Sequence, residues 1–577
     1  MNKMKRVKRL LSMLVLFALL LGTVSCGKQA TKRRGDDKTA TPTTAATPTG
    51  TAAPTAEATA TPTAAPTDAP AGTPTPAPTQ TPGFGPAENC AIEFPTRDLY
   101  HYDMDLTLDA EAHTIGGHVV FEFYNDTNDT WDKLCLRDYP SLFTDPTKSG
   151  YSPGTKLDGA VTVVSGFTDG RDGSAIAWSR DTDVSVLWLS IEKPLAPGEK
   201  MTLSYDFTAK IPAIDDRFGY VDGVFNVTNF YPILAEYDRD GWCTAKFFGD
   251  GECFYSEVSN YDVRITFPAG FRAATTGTEK GKTEADGTVT YTYEAPCVRD
   301  FVFSASDTFA KKTRDCGDVR VNILYPKEYD ERESWDAAME RTFFIAENSF
   351  AAFGEAFGRY PYEELDIIYT PLAAGGMEYP NLIIIADSCC QPVYVFDDRD
   401  TADGPSFYML DECVSHEIGH QWFMGIVGSN SGMQPWMDES ITSYTEVVYA
   451  EYLNSLGVAA IRNGFEYNDL RDKKRASELT RNGYLPINKS YYEYSNSSRY
   501  VGSIYSTGQT VFYQIELILG HKEFQSVLRE YVHRFAFTNA MPEDFFTVLY
   551  EFAGTENEQL NALLENCFDL SRLKMAS

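Results

Sequence analysis

The pentapeptide His416-Glu417-Ile418-Gly419-His420 limits what this chain can fold into more than any other stretch. The flanking run from Leu410 to Met424 predicts a helix that stops near Gly425. On a helix, residues four apart are offset by about 40°, so both imidazoles leave the same face. At that spacing two His nitrogens can hold one Zn²⁺, with Glu417 beside an open coordination position. The bland alternative is a pair of solvent-facing histidines, and in a chain with seven histidines it is the weaker reading.

A catalytic zinc needs a third protein ligand and an exchangeable water. Trp436-Met437-Asp438-Glu439 opens a second predicted helix, with Asp438 as its N-cap and Gly457 as its stop. Glu439 lies 19 residues after His420, enough for one helix to end, turn and bring the next alongside. Glu446, one heptad further, shares its face and is placed to accept a hydrogen bond from a ligand His. A solvated helix carboxylate is the equal alternative for that residue.

This order of residues resembles the M1 family of zinc aminopeptidases, within the gluzincins: HExxH, an 18-residue gap, then Glu. Two further segments match. Gly375-Gly376-Met377-Glu378-Tyr379-Pro380 resembles the family's GxMEN motif, with Tyr379 where the pattern often has Asn. The resemblance implies that Glu378 binds a substrate's free α-amino group, with Gly375, Gly376 and Met377 lining the same strip. Ile504-Tyr505-Ser506-Thr507-Gly508 resembles the YxxG segment, which implies that Tyr505 stabilises the tetrahedral intermediate. Both roles make physical sense. A buried carboxylate pairs with an ammonium and rejects a blocked N-terminus, and a phenol can donate to a developing oxyanion.

The resemblance extends loosely over residues 97–577, through Phe230-Tyr231-Pro232, Gly249-Asp250 and Phe254-Tyr255-Ser256-Glu257. It implies a multidomain α+β chain. An N-terminal β-sandwich or saddle-like β domain (85–315) precedes a thermolysin-like, mainly helical zinc metallopeptidase domain (316–577). Many members continue into a large helical domain over the active site. The sequence stops at Ser577, so a short form with a more open cleft is expected, and a partner chain covering the site is left open.

Sequence patterning agrees with a β-rich first half. Val263-Arg264-Ile265-Thr266-Phe267 and Thr288-Val289-Thr290-Tyr291-Thr292-Tyr293 alternate with period two, the second run just after the turn signal Asp286-Gly287. After Pro326 the period changes. Ser334 is placed to cap a helix running toward Phe353, with Trp335, Ala338, Met339, Thr342, Phe343 and Ala346 on one stripe. His113 and His118 read as strand residues rather than as a second metal site.

Residues 1–26 read as an address. Lys3, Lys5, Arg6, Lys8 and Arg9 precede the apolar run Leu10 to Val24, which is shorter than a membrane span and resembles a signal peptide. Thr23-Val24-Ser25-Cys26-Gly27 resembles a lipobox, so lipidation of Cys26 and an extracytoplasmic, membrane-anchored protein are expected, with plain secretion as the alternative. Residues 27–84 are Thr/Ala/Pro-rich with almost no large apolar side chain, and are expected to form a disordered stalk. Beyond it, residues 85–577 hold 40 Lys/Arg against 78 Asp/Glu, which argues against a nucleic-acid partner. Cysteine spacing implies no disulfide framework, and adjacent Cys389 and Cys390 are not expected to bond to each other.

The expected chemistry is hydrolysis of peptides that have a free N-terminus. His416, His420 and Glu439 would hold one Zn²⁺ per chain, Glu417 would act as general base and then acid, and Tyr505 would stabilise the oxyanion. Two alternatives stand beside it: a zinc endopeptidase of the same fold, and a non-catalytic, metal-containing peptide-binding lipoprotein.

Overall fold

Alternation of apolar and polar residues builds the first half of the protein into long strands. The computed structural model describes residues 91–573 apart from 153, 250, 393–406, 459–460, 463–464 and 467–483. Residues 1–26, Cys26 among them, and the Thr/Ala/Pro tract lie outside the described residues.

Eight strands form the largest sheet: β1 (Tyr100–Asp109), β2 (Thr114–Tyr124), β3 (Val163–Asp169), β4 (Ser174–Ala175), β5 (Lys200–Lys210), β6 (Ser259–Pro268), β7 (Thr278–Ala285) and β8 (Thr288–Val298). Their order is β7-β8-β6-β1-β2-β5-β3-β4, and β1 with β6 is the parallel pair. The expected alternation appears as burial of Tyr261, Val263, Ile265 and Phe267 on β6, and of Val289, Tyr291 and Tyr293 on β8. Asp286 (φ 44°) and Gly287 (φ 83°) close the β7–β8 hairpin. Two successive left-handed residues match the right-handed twist of the strands they join. Two four-stranded sheets, containing Trp131–Arg137 and Phe303–Ser306, complete this half. Leu134, Leu189 and Phe303 from these sheets join Tyr102, Phe121 and Tyr205 in one apolar core. His118 pairs with Asp206 at 2.9 Å, and His113 packs its ring on Tyr220.

The second half starts from a five-stranded sheet: β9 (Phe309–Cys316), β10 (Val319–Pro326), β11 (Glu364–Thr370), β12 (Gly376–Met377) and β13 (Leu382–Ala386), in the order β9-β10-β11-β13-β12. Strand β9 runs across the expected 315/316 boundary and pairs with β10. Strands β10, β11 and β13 are parallel, and the long helix α1 (Trp335–Phe357) supplies the crossover from β10 to β11. A parallel strand covered on both faces needs a continuous apolar run, as Leu382-Ile383-Ile384-Ile385 provides. Helices then dominate: α2 (Tyr408–Gly419), α3 (Ile441–Ser455), α4 (Gly508–Leu519), α5 (His521–Phe535), α6 (Pro542–Ala553) and α7 (Glu558–Cys567). No helix among the described residues is long and apolar enough to cross a membrane.

Two local expectations are corrected. The stripe of α1 is buried as expected, but Ser334 has φ 65° and makes no side-chain cap. Helix α2 ends at Gly419 rather than near Gly425. Trp422 and Phe423 prolong the apolar run, yet they pack from tight turns in which Gly425 N–H bonds to the His420 carbonyl at 2.9 Å. Arg299, just past β8, fixes those turns to the β half. Its guanidinium donates to the carbonyls of Met424 (2.7 Å), Gly425 (3.1 Å) and Thr538 (2.6 Å).

Candidate active site

Helix α2 and the turn before α3 bring three donor atoms together. His416 Nε2 lies 3.1 Å from His420 Nε2 and 3.2 Å from Glu439 Oε2, and His420 Nε2 lies 3.3 Å from the same oxygen. Ligands at 2.0–2.1 Å from a tetrahedral ion are about 3.3 Å apart, so this triangle has the size of one face of such a site. The other ring nitrogens are also engaged. His416 Nδ1 meets Glu446 Oε1 at 2.9 Å; His420 Nδ1 hydrogen-bonds the Phe423 carbonyl at 3.1 Å and lies 2.9 Å from Asp438 Oδ1 as an ion pair. In the neutral form with both Nδ1 atoms donating, both Nε2 lone pairs converge on one point beside a carboxylate. Neutral imidazoles repel in that arrangement unless a cation lies between them, so the donor set fits a divalent metal.

The local electrostatics agree. Burial opposes charge on His416, but its hydrogen bonds to Glu439 and Glu446 prevail and raise it to about 10 in the metal-free protein. Burial alone would raise Glu439; the two imidazoles outweigh it and hold this carboxylate well below its ordinary range.

Both Glu439 and Tyr505 sit on π-helical turns, Trp436–Ser440 and Gly502–Thr507. A wider turn re-aims a side chain relative to the flanking helix, and such turns recur at functional sites. Ser440 Oγ donates to the Ile504 carbonyl at 2.6 Å and ties the turns together. A Cβ on Gly508 would overlap Ser440, so the glycine of the Tyr505-x-x-Gly508 segment permits this approach. Tyr505 then donates its phenol to Glu439 Oε1 at 2.6 Å. Burial, followed by the Glu439 charge, raises the phenol well above its usual value, so it stays a proton donor.

Gly376 and Met377 form edge strand β12, pairing with Ile385 and Ile384 of β13. A Cβ on Gly376 would overlap the Glu417 carboxylate, so the strand lies directly against it. Glu378 follows, 3% exposed. Carboxylate oxygens of Glu378 and Glu417 and a ring nitrogen of His420 all lie within 4.8 Å of one another. Glu378 Oε1 and Glu417 Oε2 are buried with no hydrogen-bond partner among the described residues. Burial, partly offset by the His420 charge and reinforced by Glu417, pushes the Glu378 carboxyl up; burial also pushes Glu417 up.

The arrangement thus gathers His416, Glu417, His420, Glu439, Glu446, Tyr505 and the strip Gly375 to Glu378. Asp438 is corrected: it caps no helix but accepts from Ser431 Oγ at 2.6 Å and orients His420. Its signal was its position next to Glu439. Glu252 and Arg217 are further site residues that the sequence reading missed. They form a buried pair at 2.7 Å, and the Glu252 charge bears on Glu417. No spacing links these β-half residues to the motif. The Tyr379 phenol hydrogen-bonds Thr228 Oγ1 at 2.9 Å and Asn229 Oδ1 at 2.8 Å.

Residues 342–567 match the peptidase family M1 domain. Aminopeptidase M1-B of Oryza sativa subsp. japonica is 25% identical over 213 residues, 36% of this chain and 23% of the relative. Human aminopeptidase B is 25% identical over 228 residues, 38% of this chain and 32% of the relative. The match therefore spans less than a third of either relative's length. In fold, the protein is similar to the M1 zinc metallopeptidase of Deinococcus radiodurans, with a TM-score of 0.51 at 16% identity over 81% of this chain and 93% of that one. Residues 342–567 are thus similar to the peptidase family M1 domain, and they sit in a two-part fold similar to that of an M1 zinc metallopeptidase.

Proposed function

We propose that this protein is a zinc-dependent aminopeptidase. The observation that carries the reading is the buried, unpartnered oxygen of Glu378 beside Glu417 and His420. A buried carboxylate oxygen without a donor calls for a cationic partner, and the ammonium of a peptide N-terminus supplies one. A point mutant of the Deinococcus enzyme has been seen in a complex with a Tyr-Ser-Ala substrate, which supports peptides as the substrate class.

His416, His420 and Glu439 would hold one Zn²⁺, with Glu446 and Asp438 fixing the imidazoles. Bound zinc supplies Lewis acidity, polarising the scissile carbonyl and acidifying water. The chain's own residues do the rest. Glu378 grips the α-ammonium and so sets the scissile bond one residue from the N-terminus. Glu417, raised by burial, takes the proton of the attacking water and returns it to the leaving amine. Tyr505 shifts its hydrogen bond from Glu439 to the developing oxyanion.

The leader and Thr/Ala/Pro tract support export, lipid attachment at Cys26 and a stalk over residues 27–84, ahead of a β domain and a catalytic domain. Cys26→Ser should release the protein from membranes; a variant that stays bound would remove the lipid anchor from this account.

The activity is tested on the full chain with aminoacyl fluorogenic amides and their N-acetylated counterparts. Cleavage confined to the free-amine set supports the reading, whereas cleavage of blocked or internal bonds turns it into an endopeptidase. Zinc retention with neither set cleaved would favour a binding role.

A further inference from the structure

We propose that Cys389 and Cys413 are a redox-active pair whose disulfide joins the turn after β13 to the metal-motif helix and clamps the amine-binding strip between them. Cys389 sits in the 3₁₀ turn Asp387–Cys390 that follows β13. Cys413 lies on α2, one turn before Glu417. Their sulfurs are 3.4 Å apart. A disulfide needs about 2.05 Å, so small side-chain rotations and a modest backbone shift are enough to close it.

The location gives the bond its consequence. The Cys389 thiol is 3.6 Å from the Gly375 carbonyl, to which it donates, and a Cβ on Gly375 would touch Cys413 Sγ at 3.4 Å. Gly376, the next residue, lies against Glu417. The thiols therefore brace Gly375, and the Glu417 carboxylate braces the next residue, Gly376, both ahead of Glu378. Oxidation removes the Cys389 hydrogen bond and replaces two independent supports with one covalent link. Its relevance to substrate rests on the amine-binding role proposed for Glu378; the link itself does not.

Accessibility sets the order of events. Cys389 is 2% exposed, while Cys413 is half-buried. With oxidised glutathione as the oxidant, the Cys413 thiolate attacks one glutathione sulfur, breaking that disulfide and expelling a glutathione thiolate. The Cys389 thiolate then attacks Cys413 sulfur and expels the second glutathione. Two protein thiols are oxidised, one glutathione disulfide is reduced, and the two thiol protons end on the two glutathiones. The contact with Cys389, together with burial, pushes the Cys413 thiol up, so exchange should quicken as pH rises.

The test treats the full chain with oxidised glutathione and maps disulfides by non-reducing peptide mass spectrometry. The expected product is a Cys389–Cys413 cross-link, reversed by dithiothreitol and absent from Cys413→Ala. Stable glutathionylation of Cys413, or its pairing with Cys390 instead, overturns the proposal. Clamping is read separately by amide hydrogen exchange over residues 375–378, which should slow several-fold in the oxidised form and stay unchanged in treated Cys413→Ala. Equal exchange in both redox forms would refute the clamp. Neither readout uses turnover, so each decides the point even if the aminopeptidase reading fails.

Discussion

The Tyr505 phenol donates to Glu439 Oε1 at 2.6 Å while Glu439 Oε2 faces both motif imidazoles. One carboxylate thus connects the Tyr505 phenol to the imidazoles of His416 and His420. Tyr505→Phe removes the donor and leaves the ligand triangle in place. The expected result is a fall in kcat of about 10²–10³ with metal content unchanged. Steady-state kinetics beside metal analysis check it, and loss of metal in the variant would give Tyr505 a structural role.

Glu446 holds the His416 imidazole by a hydrogen bond to Nδ1 at 2.9 Å, and Asp438 pairs its charge with His420 Nδ1 at the same distance. Asp438→Asn and Glu446→Gln should each weaken zinc binding by about 10–100-fold, read by chelator competition. Unchanged affinity in both would separate these carboxylates from the metal site.

The close approach of the two π-helical turns depends on Gly508, where an added Cβ would overlap Ser440. Gly508→Ala should destabilise the protein by about 1–3 kcal/mol through overpacking, measured by denaturant unfolding. Gly281→Ala is the control, because nothing lies within 4 Å of its added Cβ, and it should change stability by less than about 0.5 kcal/mol.

Protonation of His416 gives zinc binding a signed pH dependence. Its value in the metal-free fold, about 10, lies above the ordinary 6.5. A raised folded value contributes stability that is complete below 6.5 and is lost as pH climbs through about 10. Zinc must displace that proton. Its affinity should therefore rise across the same window, by about tenfold per pH unit for each proton released. Thermal melting with and without zinc from neutral pH upward checks both trends. Metal-free stability that rises across this window would contradict the assignment.

Much of the site was legible because its chemistry is encoded as spacing. His416, Glu417 and His420 share one helical turn, and Glu439 follows at a distance that lets the next helix fold back. Period-two alternation marked β6 and β8 in the same direct way. What stayed hidden depends on geometry that local pattern does not carry. Asp438 reads as a helix cap, since Asp before a helical run usually is one; a π-helical turn sends its carboxylate to His420 instead. The end of α2 was misjudged because Trp422 and Phe423 are as apolar in tight turns as they would be in a helix. Glu252 and Arg217 reach the site from the β half, and no period relates them to the motif.

The most direct test of the account is Glu417→Gln in the full chain, with zinc content and hydrolysis of a free-amine aminoacyl amide measured on the same preparation. Glu417 lies beside the ligand triangle without belonging to it, within 4.8 Å of Glu378 and His420. The account predicts one zinc per chain with turnover reduced to background. A variant that holds zinc and still turns over at the wild-type rate would contradict it.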